Sequence, residues 1–569
     1  MADIIMPVGE ENFEKIRTRG FYYIDKTKLI AELLKDSFTV NLITRPRRFG
    51  KTLAMSMLKC FFDIRKDSRK LFEGLEICRY ETVCRDWMNQ WPVLFLSFKD
   101  MAGSKYEDAC DQLAFNLSSL CIEHEYLKDS DKVSSIDKEC FERLMRREAL
   151  PTEVNNSLFV LTRMLYMHYG KPVILLIDEY DVPLAKASEY GYYQEMLDRI
   201  RIMMSTAFKT NDFLQFAVVT GCLRIAKESI FTGTNHFKTN SIAGKRYLDC
   251  FGFTARETEK ILADTGFMDH ASDLKQWYDG YHFGAYDIYC PWDVLNYVSD
   301  LAEDPVMAPA SYWKDTSHND VIRRFMGRDD LDVNEKLELL LSGGTICVKI
   351  KEDMDYHLEC ATEDEFWSIL YLTGYLTTVK PDKKKEREGS CLTIPNEEVR
   401  TIFGDTIVEW FKEDIAGKAK ERKEMFAAWW NGDDQGVTET VSDILNDTIS
   451  YFDYKEDYYH AFLAGLFSGA GYMVTSNDEN GLGRTDVVVK DRKNRRVIII
   501  EVKRSVKESQ MDRDCREALE QIDLRRYMGK YLKNYKKILC YGAAFYDKDC
   551  LIRKSEMKGQ GKGNVYGME

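Results

Sequence analysis

The stretch FTVNLITRPRRFGKTLAMSMLKCFFDI, residues 38–64, constrains this 569-residue chain more than any other. Its first seven residues are apolar and β-branched, as in a buried strand, and LAMSMLKCFFDI has the apolar spacing of a helix. Between them lies TRPRRFGKT. A strand that turns through Gly-Lys-Thr into a helix is the context of a phosphate-binding loop, because the helix N-terminus offers unpaired N–H groups and a partial positive charge to phosphate oxygens. In the pattern G-x-x-x-x-G-K-[ST], Gly50, Lys51 and Thr52 are in place, while Arg45 stands where the first glycine belongs. Gly50 lets the backbone come close, Lys51 reaches the β/γ-phosphates and the Thr52 hydroxyl is a ligand for Mg²⁺. Arg45, Arg48 and Phe49 are included with them as nucleotide contacts, although Arg45, Arg47 and Arg48 cannot all point at phosphate.

Gly-Lys-Thr alone occurs by chance, so a second motif is needed. PVILLIDEYD, residues 172–181, supplies a buried strand from whose C-terminal edge Asp178 and Glu179 emerge, where parallel α/β sheets bind ligands. Asp178 is a candidate for the magnesium shell, and Glu179 for orienting or deprotonating the attacking water. The blander alternative is a strand that merely ends in acids. A third strand, FLQFAVVTG, ends in Thr220 and is followed by Arg224; both are candidate γ-phosphate contacts, though a polar residue closing a strand is often only a cap.

With GFYYIDKTKLI, RPRRFGKT, LLIDEYDVPL, TGCLRIAKESIFTGTNHF, WYDGYHFG and YCPWDVLNY on one chain, the sequence resembles the bacterial AAA-ATPase-like proteins that carry a C-terminal PD-(D/E)XK nuclease domain. The likeness implies that the arginine-rich loop is the normal form in such proteins, and that the chain binds ATP with Mg²⁺.

From about residue 270 to 440 the pattern is helical and aromatic, with no metal-ligand spacing. TEDEFWSILYLTGYLTTVKP reads as a helix into a strand and CLTIPNEEVRTIFGDTI as a strand into a helix, with KPDKKKEREGS as a basic tip. That is the outline of a winged helix, which either touches DNA or packs as a lid on the nucleotide domain.

GRTDVVVKDRKNRRVIIIEVKRS, residues 483–505, reads as an antiparallel hairpin. A turn centred between Lys493 and Asn494 sets Asp486 opposite Glu501. Directly opposed residues have Cβ atoms about 4.5–5.5 Å apart, so the two carboxylates repel unless a cation lies between them. Lys503, two residues from Glu501, shares its face. The alternative is a surface hairpin with solvated charges. The set matches the D…E-x-K constellation of the PD-(D/E)XK nucleases, with Thr485 in place of the proline. In KEDYYHAFLAGLFSGAGYMV, Glu456 is a further candidate metal ligand and His460 lies one turn along, its ring read as packed; in EALEQIDLRRYMGKY, Gln521 and Tyr527 are placed along the groove.

Composition sets the remaining bounds. A chain this long holds several domains. The expected boundaries are an AAA-like P-loop ATPase domain at 1–265, a helical lid and winged-helix-like connector at 266–440, and a restriction-endonuclease-like α/β domain at 441–569. No secretory signal and no apolar run of about 18 residues is visible, so a cytoplasmic protein without a membrane partner is expected. Fifteen scattered cysteines read as free thiols. The net charge is −14, yet residues 451–569 hold 23 Lys and Arg against 18 Asp and Glu, so a polyanion prefers that end.

The expected function is a bacterial ATP-binding protein, an Mg²⁺-dependent ATPase coupled to or regulating a metal-dependent nuclease that acts on DNA. Mn²⁺ is an alternative ion at the nuclease site, a homo-oligomer is compatible, and defence or mobile-element biology is the setting. The rival is a nucleotide-controlled switch whose nuclease-like domain only binds a nucleic acid or protein partner.

Overall fold

Four largely buried apolar strands and a shorter, more polar edge strand form one parallel sheet. They are β1 (Val40–Thr44), β2 (Val93–Ser97), β3 (Val173–Asp178), β4 (Leu214–Gly221) and β5 (Phe237–Asn240), in the spatial order β2-β3-β4-β1-β5. Alternate residues feed two cores. Leu42, Leu175, Ile177 and Val219 face one, while Ile43, Ile174, Leu176 and Val218 face the other. The computed structural model describes residues 4–225, 237–313, 333–341, 343–354, 361–379, 390–404, 406, 423–446, 456–480, 483–525, 527–532, 535–546 and 549–555.

The insertion of β4 between β1 and β3 positions the site. Ile43 pairs with Thr220 and Ile177 with Val219, so the C-terminal ends of the three strands lie side by side. After β1 the chain turns at Gly50, at φ 83°, into helix α1 (Lys51–Phe62). That left-handed backbone costs glycine nothing.

Chain packing divides the molecule into two units, one of residues 1–331 with 345–402 and one of 332–344 with 403–569. The connector expected at 266–440 is therefore shared out. Its early part belongs with the parallel sheet, because the strand Tyr281–Phe283 brings Tyr281 and Phe283 against the loop's Phe49, with ring centroids 5.1 and 5.3 Å apart. Gly280, at φ 100°, explains the WYDGYHFG glycine, since a Cβ there would lie 2.0 Å from the Pro395 carbonyl oxygen.

The wing-like outline is present in the first unit. The helix Glu363–Thr373, closed at its start by a Thr362–Glu365 capping box, runs towards a small antiparallel sheet. Its strands are β6 (Ile346–Val348), β7 (Thr377–Thr378) and β8 (Ser390–Thr393), with β8 in the centre. Most of the basic tip, residues 380–389, lies outside the described residues. The expectation that every cysteine is a free thiol is corrected here. Cys347 and Cys391 sit directly opposite each other on β6 and β8, with Cα atoms 4.0 Å apart, and form a disulfide. Cross-strand pairing did what spacing in sequence could not reveal.

In the second unit, β9 (Met473–Asn480), β10 (Gly483–Asp491), β11 (Arg496–Arg504), β12 (Lys537–Tyr546) and β13 (Asp549–Lys554) form a sheet in that order. It is mixed, with β11 and β12 parallel and the other pairs antiparallel. One face, with Val487, Val489, Ile498 and Ile500, is covered by helices α3 (Lys423–Asn431), α4 (Asp434–Asn446) and α5 (Glu456–Gly469). The other face, with Val488, Val497 and Ile499, packs against Ile522 of α6 (Met511–Leu524). Trp429 of α3 is fully buried, packs on Phe467 and Tyr541, and its carbonyl accepts a hydrogen bond from the Tyr541 hydroxyl.

Trp429→Ala is therefore expected to destabilise the second unit by about 3–5 kcal/mol, the usual cost of emptying a large aromatic site. Urea unfolding followed by tyrosine fluorescence and circular dichroism measures it; a loss below about 1 kcal/mol would show that α3 is not part of that core.

Candidate functional site

At the C-terminal edge of the parallel sheet, Asp178 is buried by the neighbouring strand ends. The Thr220 hydroxyl donates to Asp178 Oδ1, and the nearby Thr52 side chain also favours the ionised form of this carboxylate. Its Oδ2 is buried without a partner among the described residues. Burial raises the Asp178 pKa despite these two threonines. A buried oxygen lacking a donor is costly, and beside the Thr52 hydroxyl it fits the oxygen set of a hard divalent ion.

Glu179 follows with φ 55°, an uncommon conformation for a non-glycine residue. Burial, and then the Asp178 charge, push its carboxyl up to about 7, in the range of a general base at neutral pH. The next two residues face elsewhere. Asp181 Oδ2 accepts from the backbone N–H groups of Cys222 and Leu223, both at 2.9 Å, and the Tyr180 hydroxyl donates to Leu223 O at 2.8 Å. This clasp requires Gly221, where a Cβ would lie 2.6 Å from Asp181 Oδ1.

The loop residues divide. Lys51 Nζ is bonded to the carbonyls of Arg45 and Pro46 at 2.9 and 2.8 Å, across the turn it is expected to serve. Arg45 needs a correction: its guanidinium is buried in the protein, not directed at a phosphate cradle. It donates to the carbonyls of Thr44, Asn240, Arg246 and Tyr247 and lies over the rings of Phe251 and Phe283. Burial lowers its pKa to about 10, so it keeps its charge at neutral pH. The Phe49 ring is likewise core, against Tyr281 and Phe283, and only its backbone remains with the loop. Arg48, at φ 67°, stacks on Trp292. Arg224 forms an ion pair with Asp353 at 2.7 Å, which commits its charge to the strand Asp353–Met354 instead of the loop. Thus Gly50, Lys51, Thr52, Asp178, Glu179 and Thr220 come together, and Arg45, the Phe49 ring and Arg224 do not join them.

A pocket of about 660 Å³, counting its open mouth, adjoins the loop. Gly50, Leu53 and Met57 form one wall, and Tyr22, Phe253 and Leu295 line the rest.

In the second unit the ladder pairs Val487 with Ile500 and Asp491 with Arg496, a register that sets Asp486 across from Glu501. Alternation turns both, with Lys503, to the face opposite Val502, which is buried in the core beneath the other face. Asp486 Oδ2 accepts the Val502 N–H at 2.8 Å. Glu501 is fully buried; burial, and then the Asp486 charge, push its carboxyl up to about 8. Gln521 of α6 donates to Glu501 Oε1, whereas Oε2 has no partner among the described residues.

His460, expected to be packed, is buried, and its Nε2 lies 3.3 Å from Asp486 Oδ2. The sequence carried only its helical spacing from Glu456. Glu456 begins α5, but its side chain lies outside the described residues. Arg525, which the sequence reading missed among neighbouring basic residues, donates to the Tyr527 hydroxyl at 3.0 Å and acts electrostatically on Glu501 and Asp486. Two carboxylates, an imidazole and an orphaned buried oxygen fit a divalent cation. Glu32, Asp249 and Cys250 also gather closely, but Lys28 already bridges the two acids at 3.0 and 3.1 Å.

Residues 7–231 match the family described as predicted AAA-ATPase, and residues 454–555 match the PD-(D/E)XK nuclease superfamily. The chain joins an AAA-ATPase-like domain to a PD-(D/E)XK nuclease-superfamily domain. It is similar to an Azotobacter chroococcum mcd 1 protein named "Uncharacterized protein in vnfD 5'region", with 24% identity over 495 residues that cover 85% of this chain and 86% of that protein. No solved structure matches the chain significantly.

The raised Glu501 pKa has a definite sign. Below the ordinary glutamate value of 4.5, folded and unfolded states both hold the proton and its stabilising effect is fully present. As pH rises towards 8 the unfolded chain ionises first, so stability falls, by about 1.4 kcal/mol per pH unit at most. With divalent ions chelated, wild type is expected to lose stability relative to Glu501→Gln across this window, as read by urea unfolding at several pH values. Parallel curves would refute the assignment.

Proposed function

We propose that this protein is an ATP-binding, Mg²⁺-dependent ATPase that regulates or is coupled to a metal-dependent nuclease acting on DNA. One observation carries the nuclease half: Asp486 and Glu501 stand opposed across a hairpin with Glu501 Oε2 buried and, among the described residues, unbonded. That arrangement is costly in a merely structural hairpin. A divalent ion held by Asp486, Glu501 and His460 would supply Lewis-acid polarisation of a phosphodiester and a bound water of lowered pKa. Lys503 then stabilises charge developing on the phosphate oxygens, Gln521 orients Glu501, and the excess of Lys and Arg after residue 451 favours a polyanion.

For the nucleotide half, the α1 N-terminus with Lys51 receives the phosphates, and Thr52 and Asp178 are the residues that would hold Mg²⁺. Glu179 accepts a proton from the attacking water, and Thr220 fixes the Asp178 carboxylate. The apolar pocket beside Gly50 suits the base, because its wall is the same helix whose start meets the phosphates.

Purified protein with Mg²⁺ or Mn²⁺ is expected to cut DNA, and Asp486→Ala and Lys503→Ala to lose at least about 100-fold in rate. Double-stranded DNA, single-stranded DNA and RNA, each with and without ATP, separate the substrates. Lys51→Ala is expected to abolish ATP binding. Equal cutting by wild type and both nuclease variants would assign the activity to a contaminant. ATP binding lost in Lys51→Ala, with no substrate cut under any metal, would instead establish a nucleotide-controlled switch.

A further inference from the structure

Of the loop's arginines, Arg45 gives its two terminal amino groups to four carbonyls, and Arg48 contrasts with it. The Arg48 guanidinium lies with its carbon 3.9 Å from the centre of the Trp292 ring, and among the described residues no acceptor is hydrogen-bonded to it. Stacking occupies the face of a guanidinium and leaves its in-plane N–H edge for a forked contact to an anion. The side chain is only half-exposed, so its unspent donors are partly cut off from water as well.

The ring beneath it is held by a closed circuit of bonds. Trp292 Nε1 donates to Tyr312 O at 3.0 Å, and the backbone N–H groups of Tyr312 and Trp313 donate to Glu398 Oε1 at 2.6 and 2.8 Å. The Glu398 charge acts on Asp293, the residue after Trp292 in the first turn of α2 (Pro291–Glu303), and raises its pKa beyond what burial does. Both acids are buried, which favours a shared proton between them, and the Tyr312 hydroxyl ties the circuit back to Asp300 of the same helix at 2.6 Å. A partly buried tryptophan held at this many points has little freedom to tilt.

We propose that Trp292 is a positioning residue for nucleotide binding: it holds Arg48 by its face so that the guanidinium edge is available to the phosphate tail. This rests on the nucleotide reading above. Trp292 touches Arg48 and acts through it.

ATP affinity of the full-length protein, measured by titration calorimetry with Mg²⁺, tests the assignment. Trp292→Ala is expected to weaken ATP binding about tenfold and Trp292→Phe, which keeps an aromatic face, less than about threefold. Arg48→Ala should weaken it at least as much as Trp292→Ala, and the double variant no more than Arg48→Ala alone. Should Trp292→Ala not fold, Trp292→Leu keeps bulk without the π face and takes its place, with thermal melts run on each variant. Additive losses in the double variant, or a Trp292→Phe defect equal to that of Trp292→Ala, would overturn the positioning role. Wild-type affinity in the Trp292 variants, with binding abolished by Lys51→Ala, would overturn this proposal alone. Unchanged binding in Lys51→Ala would remove the nucleotide reading and this proposal with it.

Discussion

A buried positive charge with no carboxylate hydrogen-bonded to it among the described residues organises the first unit. Arg45 replaces the glycine that a phosphate loop ordinarily has at its first position, and it reaches the carbonyls of Asn240, Arg246 and Tyr247 as well as that of its neighbour Thr44. Carbonyl dipoles and the faces of Phe251 and Phe283 compensate the charge. The start of the loop is thereby fastened to the end of β5 and to the segment after it. A glycine would make the turn freely but fasten nothing; the arginine makes the loop rigid from inside the protein.

The two sites share one physical device, a pair of neighbouring acids of which one is raised in pKa by burial and by its companion's charge. Asp178 and Glu179 are adjacent in the chain, with Glu179 held in a left-handed conformation, while Asp486 and Glu501 meet across a hairpin. In each pair burial raises a pKa and the companion charge raises it further. Among the described residues each also leaves a buried oxygen without a donor, Asp178 Oδ2 in one and Glu501 Oε2 in the other. Such groups destabilise the fold locally, and that cost is the usual mark of a residue kept for chemistry.

Legibility in the sequence followed the range of the interaction. The strand-loop-helix around Gly50 and the hairpin at 483–505 were readable because period and turn are local, and counting residues from the turn was enough to set Asp486 against Glu501. The destination of Arg45 was not, since three of its four acceptors are some two hundred residues away in sequence and are backbone atoms, which leave no mark in composition. The Cys347–Cys391 pair was hidden likewise, 44 residues apart across a strand pairing that spacing does not announce. His460 could be placed on a helical face, but nothing in its neighbours signalled Asp486 as its contact. The connector misled for a different reason: an aromatic helix shows that it covers a core without showing whose.

That last point bears on how the chain can be divided. A boundary near residue 440, where the sequence invites one, would cut through α4 and strip Trp429 and Trp430 from the sheet they cover. The helices from Lys423 onward are not a hinge between two machines but the roof of the second one. Recombination that exchanged nuclease modules among such chains would leave a foldable product only by carrying these helices along. A cut that keeps this core whole therefore falls upstream of Lys423, and the second unit is longer than the residues 454–555 that bear its family likeness.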